Sequence, residues 1–474
     1  MTNRDKIYTI IFWIINCMYV FAFIYWVLLN RGNTSVVNNY NLNLFPWVFG
    51  LILVQMVSFK IKNVLFCDFA LWFSLISYMF MFGFLFSSVF NLDSNLLWNP
   101  ISNYSDIELF KSYVFVILCL EMFSFGYLSF YNEKIVQKKN ELRYAKSNRH
   151  IYNIGCVLLL IGSITKILND IQIVFTTQSA NSYSAYASAV SSGIIDDLSY
   201  LMLPGIFFVF FSGCIKERTK KLIFLIVLIY LVCIMILTGS RKIQIFSILS
   251  LFLGFEFSSE KSHLSIKNFL VYLFLALILI NIIIIIRDNR FNLESVGPEI
   301  LKTIFSFDLF GNILGETFAE TGITILSVAS IIKLVPVVKP FQYGLTFLRT
   351  IPSFLPIGWL VGDFFYQASS TYVINSYLQT PVGSSLIGDF YWNWGFVGGI
   401  IASFISGVII FKLVNINDSK NIRKNYAMYF SFFSQLIILV RGEVFDIYRP
   451  IIMLVIIVFI MERINIFKRR IIIR

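Results

Sequence analysis

Charged side chains are scarce in this 474-residue sequence: Asp, Glu, Lys and Arg make up 14% of it, against about a quarter in an ordinary soluble domain. So low a share excludes a soluble enzyme, a coiled coil and an intrinsically disordered chain. Apolar residues stand in their place, since 58% of the residues are hydrophobic, 51 are Phe and the mean hydropathy is +0.78. The composition predicts an all-α polytopic integral membrane protein.

Cysteines, histidines and cofactor motifs are also sparse. The six cysteines lie in apolar runs without CxxC spacing and there are two histidines, so neither a disulfide framework nor a Cys/His metal site is expected. The sequence contains no GxGxxG, Walker A, HExxH or DxD motif, and we therefore expect no nucleotide, metal or other cofactor. The net charge of +12 does not indicate a nucleic-acid binder, because the basic residues fall in short loops between apolar runs.

Long apolar runs predict the membrane spans, since a bilayer core needs about 20 apolar residues per helix. The first run is too long for a signal-peptide core and is treated as an uncleaved helix. Glu121 is the deepest charge within these runs, and we expect it to be protonated or hydrogen-bonded to a neighbouring helix. About twelve spans are predicted: 7–29, 44–59, 64–90, 112–131, 151–168, 198–215, 222–237, 243–257, 268–286, 387–411, 426–440 and 451–467.

The distribution of Lys and Arg predicts that both termini face the cytoplasm. With the N-terminus inside, basic residues concentrate in loop 132–150 and in the C-terminal tail, whereas loop 169–197 on the outer side has none. Residues 287–386 interrupt the pattern, because charges and prolines recur throughout them. We interpret them as one large extracytoplasmic loop within a single membrane domain, 1–474. The alternative is two more short spans in that stretch, which gives 14.

Arginines on the predicted outer side run against the usual bias of basic residues toward the cytoplasm. Each presents a planar fork of donors that suits phosphate or carboxylate. Arg241 follows Gly239 in a tight turn between two spans, and that position suits the pyrophosphate of a lipid-linked substrate. The other arginines with a candidate role are Arg287, Arg290, Arg349, Arg441 and Arg449. For each of them, the alternative is pairing with a nearby carboxylate or with lipid headgroups.

Carboxylates at the predicted outer ends of the spans are the candidate general bases, since both histidines fall in predicted cytoplasmic loops. The candidates, in no firm order, are Glu320, Asp389 and Glu443. Tyr391 lies two residues after one of them, and Tyr448 lies in the dense polar segment 441–450. We predict that these two tyrosines bind substrate.

Three segments resemble the Wzy-type oligosaccharide repeat-unit polymerases, the family that builds O-antigen and capsular polysaccharides. The first is Thr238-Gly-Ser-Arg241 after a span, and the second runs from Pro340 to Pro352. The third, 381–398, is similar to a family segment of small residues with an acid, a Tyr, an Asn and a Gly. The family's acid is more often Glu, and Asp389 stands in its place here. The motifs cover roughly 230–450, and the first half of the chain is similar in hydropathy alone.

The resemblance implies a glycosyltransferase with a fold like that of the C-type, membrane-embedded glycosyltransferases. Such a polymerase takes a growing glycan on undecaprenyl pyrophosphate and transfers it en bloc to a new lipid-linked repeat unit. The reaction takes place on the outer face of the bacterial cytoplasmic (inner) membrane and needs no nucleotide or metal. The implied partners are the lipid-linked glycan as donor and acceptor, membrane lipid, a chain-length regulator and a flippase, with no nucleic acid.

The resemblance also suggests roles for the candidate residues. Departure of the lipid pyrophosphate develops negative charge, which preorganised arginines stabilise. We expect this role of Arg241, Arg287 and Arg290, while Arg349 and Arg441 are suited to hold phosphate or an acidic sugar. One of the candidate carboxylates takes the proton of the acceptor hydroxyl.

Two other functions compete with polymerisation. An O-antigen ligase uses the same kind of donor, but such ligases carry a functional histidine in the outer loop and this sequence has none there. A flippase for the lipid-linked repeat unit is a transporter, which is expected to have pseudo-symmetric halves and charges lining a central cavity. The late outer loop and the clustering of charges on the outer face favour the polymerase over both.

Overall fold

The structure, a computed structural model, describes residues 3–92, 100–131, 141–142, 145–179, 193–238, 242–259, 278, 281–282, 285, 309–354, 364–378, 382–415 and 421–472. Every regular element within these ranges is helical. The α-helices are α1 Asn3–Leu29, α2 Thr34–Asn38, α3 Tyr40–Ile61, α4 Phe69–Val89, α5 Asp106–Ser129, α6 Arg149–Ser179, α7 Ile194–Ser199, α8 Met202–Phe211, α9 Glu217–Thr238, α10 Lys242–Ser258, α11 Leu309–Gly322, α12 Ile325–Leu334, α13 Leu345–Thr350, α14 Ser370–Leu378, α15 Leu386–Val414, α16 Ile422–Leu436 and α17 Val444–Ile472. Short 3₁₀-helices cover Pro100–Asn103, Ile351–Phe354 and Ile437–Arg441.

Several helices begin at polar residues that cap their first N–H groups. Asp68 accepts a hydrogen bond from the Ala70 N–H at the start of α4, at 2.9 Å. At the start of α5, Ser105 and Glu108 form a reciprocal capping box, with distances of 3.3 and 2.8 Å. At the start of α15, Ser385 Oγ accepts a hydrogen bond from the Gly388 N–H at 3.2 Å. Caps of this kind satisfy N–H groups that have no partner within the helix.

Ten helical segments in the described ranges are long and apolar enough to cross a membrane. Nine of them coincide with predicted spans, which confirms the prediction of an all-α polytopic membrane protein. They are Ile7–Leu29, Tyr40–Ile61, Phe69–Val89, Asp106–Ser129, Arg149–Thr176, Ile194–Phe211, Glu217–Thr238, Leu386–Val414 and Val444–Ile464. Predicted span 243–257 is a shorter apolar helix. Predicted span 426–440 is α16 followed by a 3₁₀-helix, and 268–286 lies largely outside the described residues.

The tenth segment, Ile313–Leu334, lies inside 287–386, the stretch that we interpreted as an outer loop. It comprises most of α11 together with α12; α11 packs along α4 and α12 packs against α5, and the segment is mostly buried in the bundle. Thr321 donates a hydrogen bond to the carbonyl oxygen of Met79 at 3.1 Å. Small polar residues face neighbouring helices here, as is usual between membrane helices, and they lower the hydropathy of the segment. This part of the stretch is therefore closer to the alternative interpretation, in which further short spans lie within 287–386.

Close helix contacts hold the centre of the bundle, where α5 runs along α15 and α6 runs along α8. A Cβ atom on Gly126 of α5 would overlap the carbonyl oxygen of Phe404. Likewise, a Cβ atom on Gly407 of α15 would overlap the carbonyl oxygen of Phe123. The two backbones therefore touch, a packing that only small residues allow. This contact holds the part of α15 that follows Gly395 against α5.

Arg423 on α16 joins separate parts of the chain. Its guanidinium donates to the carbonyl oxygens of Ala145 at 2.5 Å, Lys146 at 2.9 Å and Phe211 at 3.0 Å. We expect Arg423→Gln to lower the free energy of unfolding by about 3 kcal/mol, because a hydrogen bond from a charged donor contributes about 1.5–3 kcal/mol. Thermal unfolding of the purified protein in detergent measures the change.

The neighbouring Lys424 supplies the control. It pairs with Glu462 at 2.5 Å, and both side chains are partly exposed. Lys424→Gln is expected to cost less than about 1 kcal/mol, as partly exposed ion pairs do. Equal shifts for the two variants would contradict the role of Arg423 as a link between segments.

Candidate functional site

The structure describes eight of the eleven predicted site residues. Arg241, Arg287 and Arg290 lie outside the described residues. Two of the eight, Asp389 and Glu443, are brought into one hydrogen-bonded cluster, which we call the carboxylate pair. The other six do not belong to this cluster: Glu320, Arg349, Tyr391, Arg441, Tyr448 and Arg449.

The carboxylate pair meets at the hydroxyl group of Ser370. Asp389 lies in the first turn of α15, and Glu443 directly precedes α17. The Ser370 Oγ atom is 2.5 Å from Oδ1 of Asp389 and 2.9 Å from Oε2 of Glu443. Both carboxyl groups are buried, with 4% and 3% of their residues' surface exposed. A buried pair of this kind needs protons or donors to be stable.

Each carboxyl group of the pair also caps a neighbouring helix. Glu443 Oε2 accepts from the N–H groups of Ser370 and Thr371 at 2.6 and 3.2 Å, at the start of α14. Asp389 Oδ2 accepts from the N–H of Val444 at 3.2 Å, at the start of α17. The N-termini of α14, α15 and α17 therefore converge on the pair. Their unpaired N–H groups and partial positive charges stabilise anions at this point.

Three serines complete the cluster. Ser369 donates its hydroxyl proton to Oε1 of Glu443 at 2.6 Å, and Ser384 contacts the hydroxyl group of Ser370. A serine hydroxyl carries one proton, so Ser370 donates to only one member of the pair at a time. None of these serines was predicted as a site residue from the sequence. The run Ser369-Ser370-Thr371 at the start of a helix is an N-cap signal, but no spacing connects it to residue 389 or 443.

The environment of Glu443 favours its protonated form. Burial raises the pKa of the Glu443 carboxyl group, and the charge of Asp446 raises it further. The hydrogen bonds from residues 369–371 act in the opposite direction and offset part of the rise. Glu443 therefore holds a proton at a higher pH than an exposed glutamate does. A carboxyl group in this state is suited to accept or release a proton near neutral pH.

Two of the segments that carry the family resemblance pack against each other beside the pair. The Tyr343 N–H donates to the carbonyl oxygen of Asn393 at 2.8 Å, and the Gly344 N–H donates to Asn393 Oδ1 at 3.0 Å. The Asn393 amide donates to Thr346 Oγ1 at 2.7 Å and to the carbonyl oxygen of Asp389 at 2.8 Å. The asparagine thus joins segment 340–352 to the helix turn that carries one of the candidate bases.

Tyr391 lies two residues after Asp389, near the start of α15, and is half-buried. Its ring packs edge-on against Phe115 at 5.3 Å and lies 6.2 Å from the ring of Phe341. Gly395 interrupts the helix one turn later, with φ +67° and ψ −162°. Only glycine adopts this conformation without strain. The kink separates the turn with Asp389 from the rest of α15.

The described arginines have different surroundings. Arg449 pairs with Asp197 at 3.1 Å, which is the alternative to substrate binding given above. The guanidinium of Arg441 lies over the ring of Phe80 at 5.9 Å, and that of Arg349 lies over the ring of Phe364 at 5.5 Å. Both side chains are half-buried. Their roles in binding phosphate or an acidic sugar stay predictions.

Glu320 and Tyr448 stand apart from the cluster. Glu320 is buried on α11, and no hydrogen bond joins it to Asp389 or Glu443, all three of which are described. Tyr448 is half-buried on α17. Among the described residues, no group of three or more His, Cys, Asp or Glu side chains is arranged to hold a metal ion.

The helical bundle defines the class of this protein, and comparison of the sequence defines its family. Ten candidate spans in the described ranges make it an integral membrane protein of the polytopic, all-α class. A family model described as O-antigen polysaccharide polymerase Wzy matches residues 8–470. The chain therefore belongs to the Wzy family of O-antigen polymerases, whose members act on lipid-linked oligosaccharides. No curated protein sequence and no solved structure matches the chain.

Proposed function

We propose that this polymerase joins undecaprenyl-pyrophosphate-linked oligosaccharide repeat units on the outer face of the bacterial cytoplasmic membrane. The growing glycan is transferred en bloc to the end of a new lipid-linked repeat unit, without nucleotide or metal. The observation that carries the proposal is the convergence of Asp389 and Glu443 on one serine hydroxyl group, in a chain of this family.

The carboxylate pair supplies the acid–base chemistry of the transfer. A hydroxyl group of the acceptor glycan attacks the anomeric carbon of the donor, and the bond from that carbon to the pyrophosphate oxygen breaks. The hydroxyl proton passes to the pair, and undecaprenyl pyrophosphate leaves with the bonding electrons. The pair accepts a proton readily because two carboxyl groups and the Ser370 hydroxyl share one hydrogen-bonded cluster.

Arginines stabilise the charge that develops on the leaving pyrophosphate. Sequence position supports Arg241, Arg287 and Arg290 in this role, because each is predicted at the outer end of a span. Arg349 and Arg441 are suited to hold a second phosphate or an acidic sugar, and Tyr391 and Tyr448 to contact the glycan. The apolar surfaces between spans hold the polyprenyl tails.

Orientation follows from the loop charges. With both termini in the cytoplasm, the N-terminal ends of α15 and α17 face outward, and the carboxylate pair lies at those ends. A site on this face meets repeat units that a flippase has already delivered. A chain-length regulator is the second partner that we propose.

The surface-glycan ladder on a gel tests the function. A host lacking this gene is expected to keep one repeat unit attached and to lose the ladder, and the wild-type gene is expected to restore it. We expect Arg241→Ala to lower the polymerisation rate on the order of a hundredfold, because one donor to a developing charge contributes about 3 kcal/mol. The ladder then stays short at matched expression.

Arg31→Ala is the matched control, because Arg31 is another arginine predicted on the outer side and it is exposed. It is expected to restore the ladder fully. Loss of every repeat unit from the host lacking the gene would assign the chain to export or ligation instead. A full ladder with Arg241→Ala would remove that arginine from the leaving-group role while leaving polymerisation intact.

A further inference from the structure

A second polar cluster lies apart from the carboxylate pair, in a partly enclosed cavity between helices. Side chains from α6, α7, α10 and α16 line it. The polar ones include Lys166, Asn169, Asp170, Asp196, Gln244 and Gln435. The volume of the cavity is about 50 Å³, several times the roughly 10–15 Å³ that a single water molecule needs. Polar groups in such a place need partners, and not all of these have one.

Some charged groups in and beside the lining are paired with each other. Lys166 pairs with Oδ1 of Asp170 at 2.5 Å, and the hydroxyl of Tyr230 donates to Oδ2 of the same carboxylate, also at 2.5 Å. Asp197, next to the lining residue Asp196, pairs with Arg449. These contacts hold α6, α7, α9 and α17 around the cavity. Both oxygens of the Asp170 carboxylate are occupied by these contacts, whereas the Lys166 ammonium carries three donors.

Two amides in the lining are not satisfied. The Asn169 amide donates to Oδ1 of Asp196 at 2.8 Å, so its oxygen, Oδ1, points elsewhere as an acceptor. That oxygen has no hydrogen-bond partner among the described residues, and neither do Nε2 and Oε1 of Gln435. Only 4% and 2% of the two residues' surface is exposed. Leaving such groups unpaired destabilises the folded protein, and a ligand that bonds to them removes this destabilisation.

The hydrogen-bonding capacity of the unpaired atoms indicates which kind of ligand fits the cavity. They comprise two acceptors and one donor group, so the ligand must both donate and accept hydrogen bonds. The charged lining residues are one lysine and two aspartates, which together carry a net charge of −1 when ionised. A phosphate group has no proton to donate to Asn169 Oδ1 at neutral pH, and the aspartates repel it. Hydroxyl groups of a neutral sugar meet both requirements.

We propose that this cavity binds a neutral sugar residue of the lipid-linked glycan, with Asn169 and Gln435 as its hydrogen-bonding residues. The assignment rests on the proposed function. It agrees with the position of the cavity along the chain, because the lining residues Ile243 and Gln244 directly follow the turn with Arg241. Pyrophosphate at that turn and an adjacent sugar in the cavity match the order of groups in a lipid-linked glycan.

Gln435→Leu separates binding from folding. Since the Gln435 amide has no protein partner among the described residues, its loss breaks no known contact, and the melting temperature is expected to equal or exceed that of the wild type. The purified full chain in lipid vesicles is assayed with lipid-linked repeat unit extracted from a host without polymerase. The concentration giving half the maximal rate is expected to rise at least tenfold. Asn169→Ala is a second variant with the same expected direction.

Gln55→Leu is the matched control, because Gln55 is a buried glutamine whose amide is bonded to Leu120 O, Glu121 and Tyr78. It should lower the melting temperature and leave the half-maximal concentration unchanged. A wild-type half-maximal concentration in both cavity variants would mean that the cavity holds water alone, and would overturn the assignment. Failure of the wild-type protein itself to lengthen the glycan would instead overturn the proposed function.

Discussion

A host whose polymerase carries Glu443→Gln is expected to make surface glycan that stops at one repeat unit. General acid–base catalysis contributes about 10²–10⁴-fold to a rate, and an amide cannot take up the proton of the acceptor hydroxyl. A fall in rate of about a hundredfold or more is therefore expected. The ladder in the gene-deficient host, at matched protein level, measures it.

The geometry of the cluster makes this substitution a test of chemistry rather than of packing. The oxygen of a glutamine at 443 still accepts from the N–H groups of Ser370 and Thr371. Its NH₂ group then faces the hydroxyl of Ser369, which can rotate to accept. The cap on α14 is kept, so the protein should fold and reach the membrane. What is lost is the ability of the side chain at 443 to take up and hold a proton.

Glu121→Gln is the control for this experiment. Glu121 is also a buried glutamate and is hydrogen-bonded to Gln55 at 3.2 Å, on α5. It has no contact with the carboxylate pair among the described residues, so its neutral form is expected to support a full ladder. If Glu443→Gln restored a full ladder at matched expression, the pair would be a pair of helix caps without a part in proton transfer.

Gly407→Val is expected to abolish the folded protein. A Cβ atom on Gly407 would overlap the carbonyl oxygen of Phe123 and crowd the backbone of Tyr127. Overpacking a core usually costs about 1–3 kcal/mol. Here both overlaps are with backbone, so α5 and α15 must separate and the cost exceeds that range. Fluorescence-detected size exclusion of a tagged protein should show loss of the monodisperse peak.

Gly193→Val controls for the size of the side chain alone. Among the described residues, no atom lies within 4 Å of a Cβ built at Gly193, and its φ of −112° suits any residue. Its elution profile should match that of the wild type. A monodisperse, active Gly407→Val protein would mean that α5 and α15 are not held in backbone contact.

The class of this protein and most of its spans could be predicted from the sequence. Charge scarcity and apolar length decide both, because hydrocarbon tolerates only long apolar helices that satisfy their own backbone groups. The motif around Asp389 and Asn393 was likewise visible in the sequence and indicated the family. These features are local in the sequence, so they can be recognised without knowing how the helices pack.

Tertiary structure alone decided which distant residues meet. Asp389 and Glu443 were both candidate bases, but their union through Ser370 depends on how α14, α15 and α17 converge. Segment 313–334 lies in the stretch that was interpreted as a loop because charges and prolines recur there, yet in the structure it is an apolar helical segment that is mostly buried against other helices. The unpaired amide of Gln435 likewise depends on neighbours from other helices. Hydropathy reports how well the residues of one segment suit a lipid environment. A site is formed by contacts between residues of different helices, and these depend on how the helices pack.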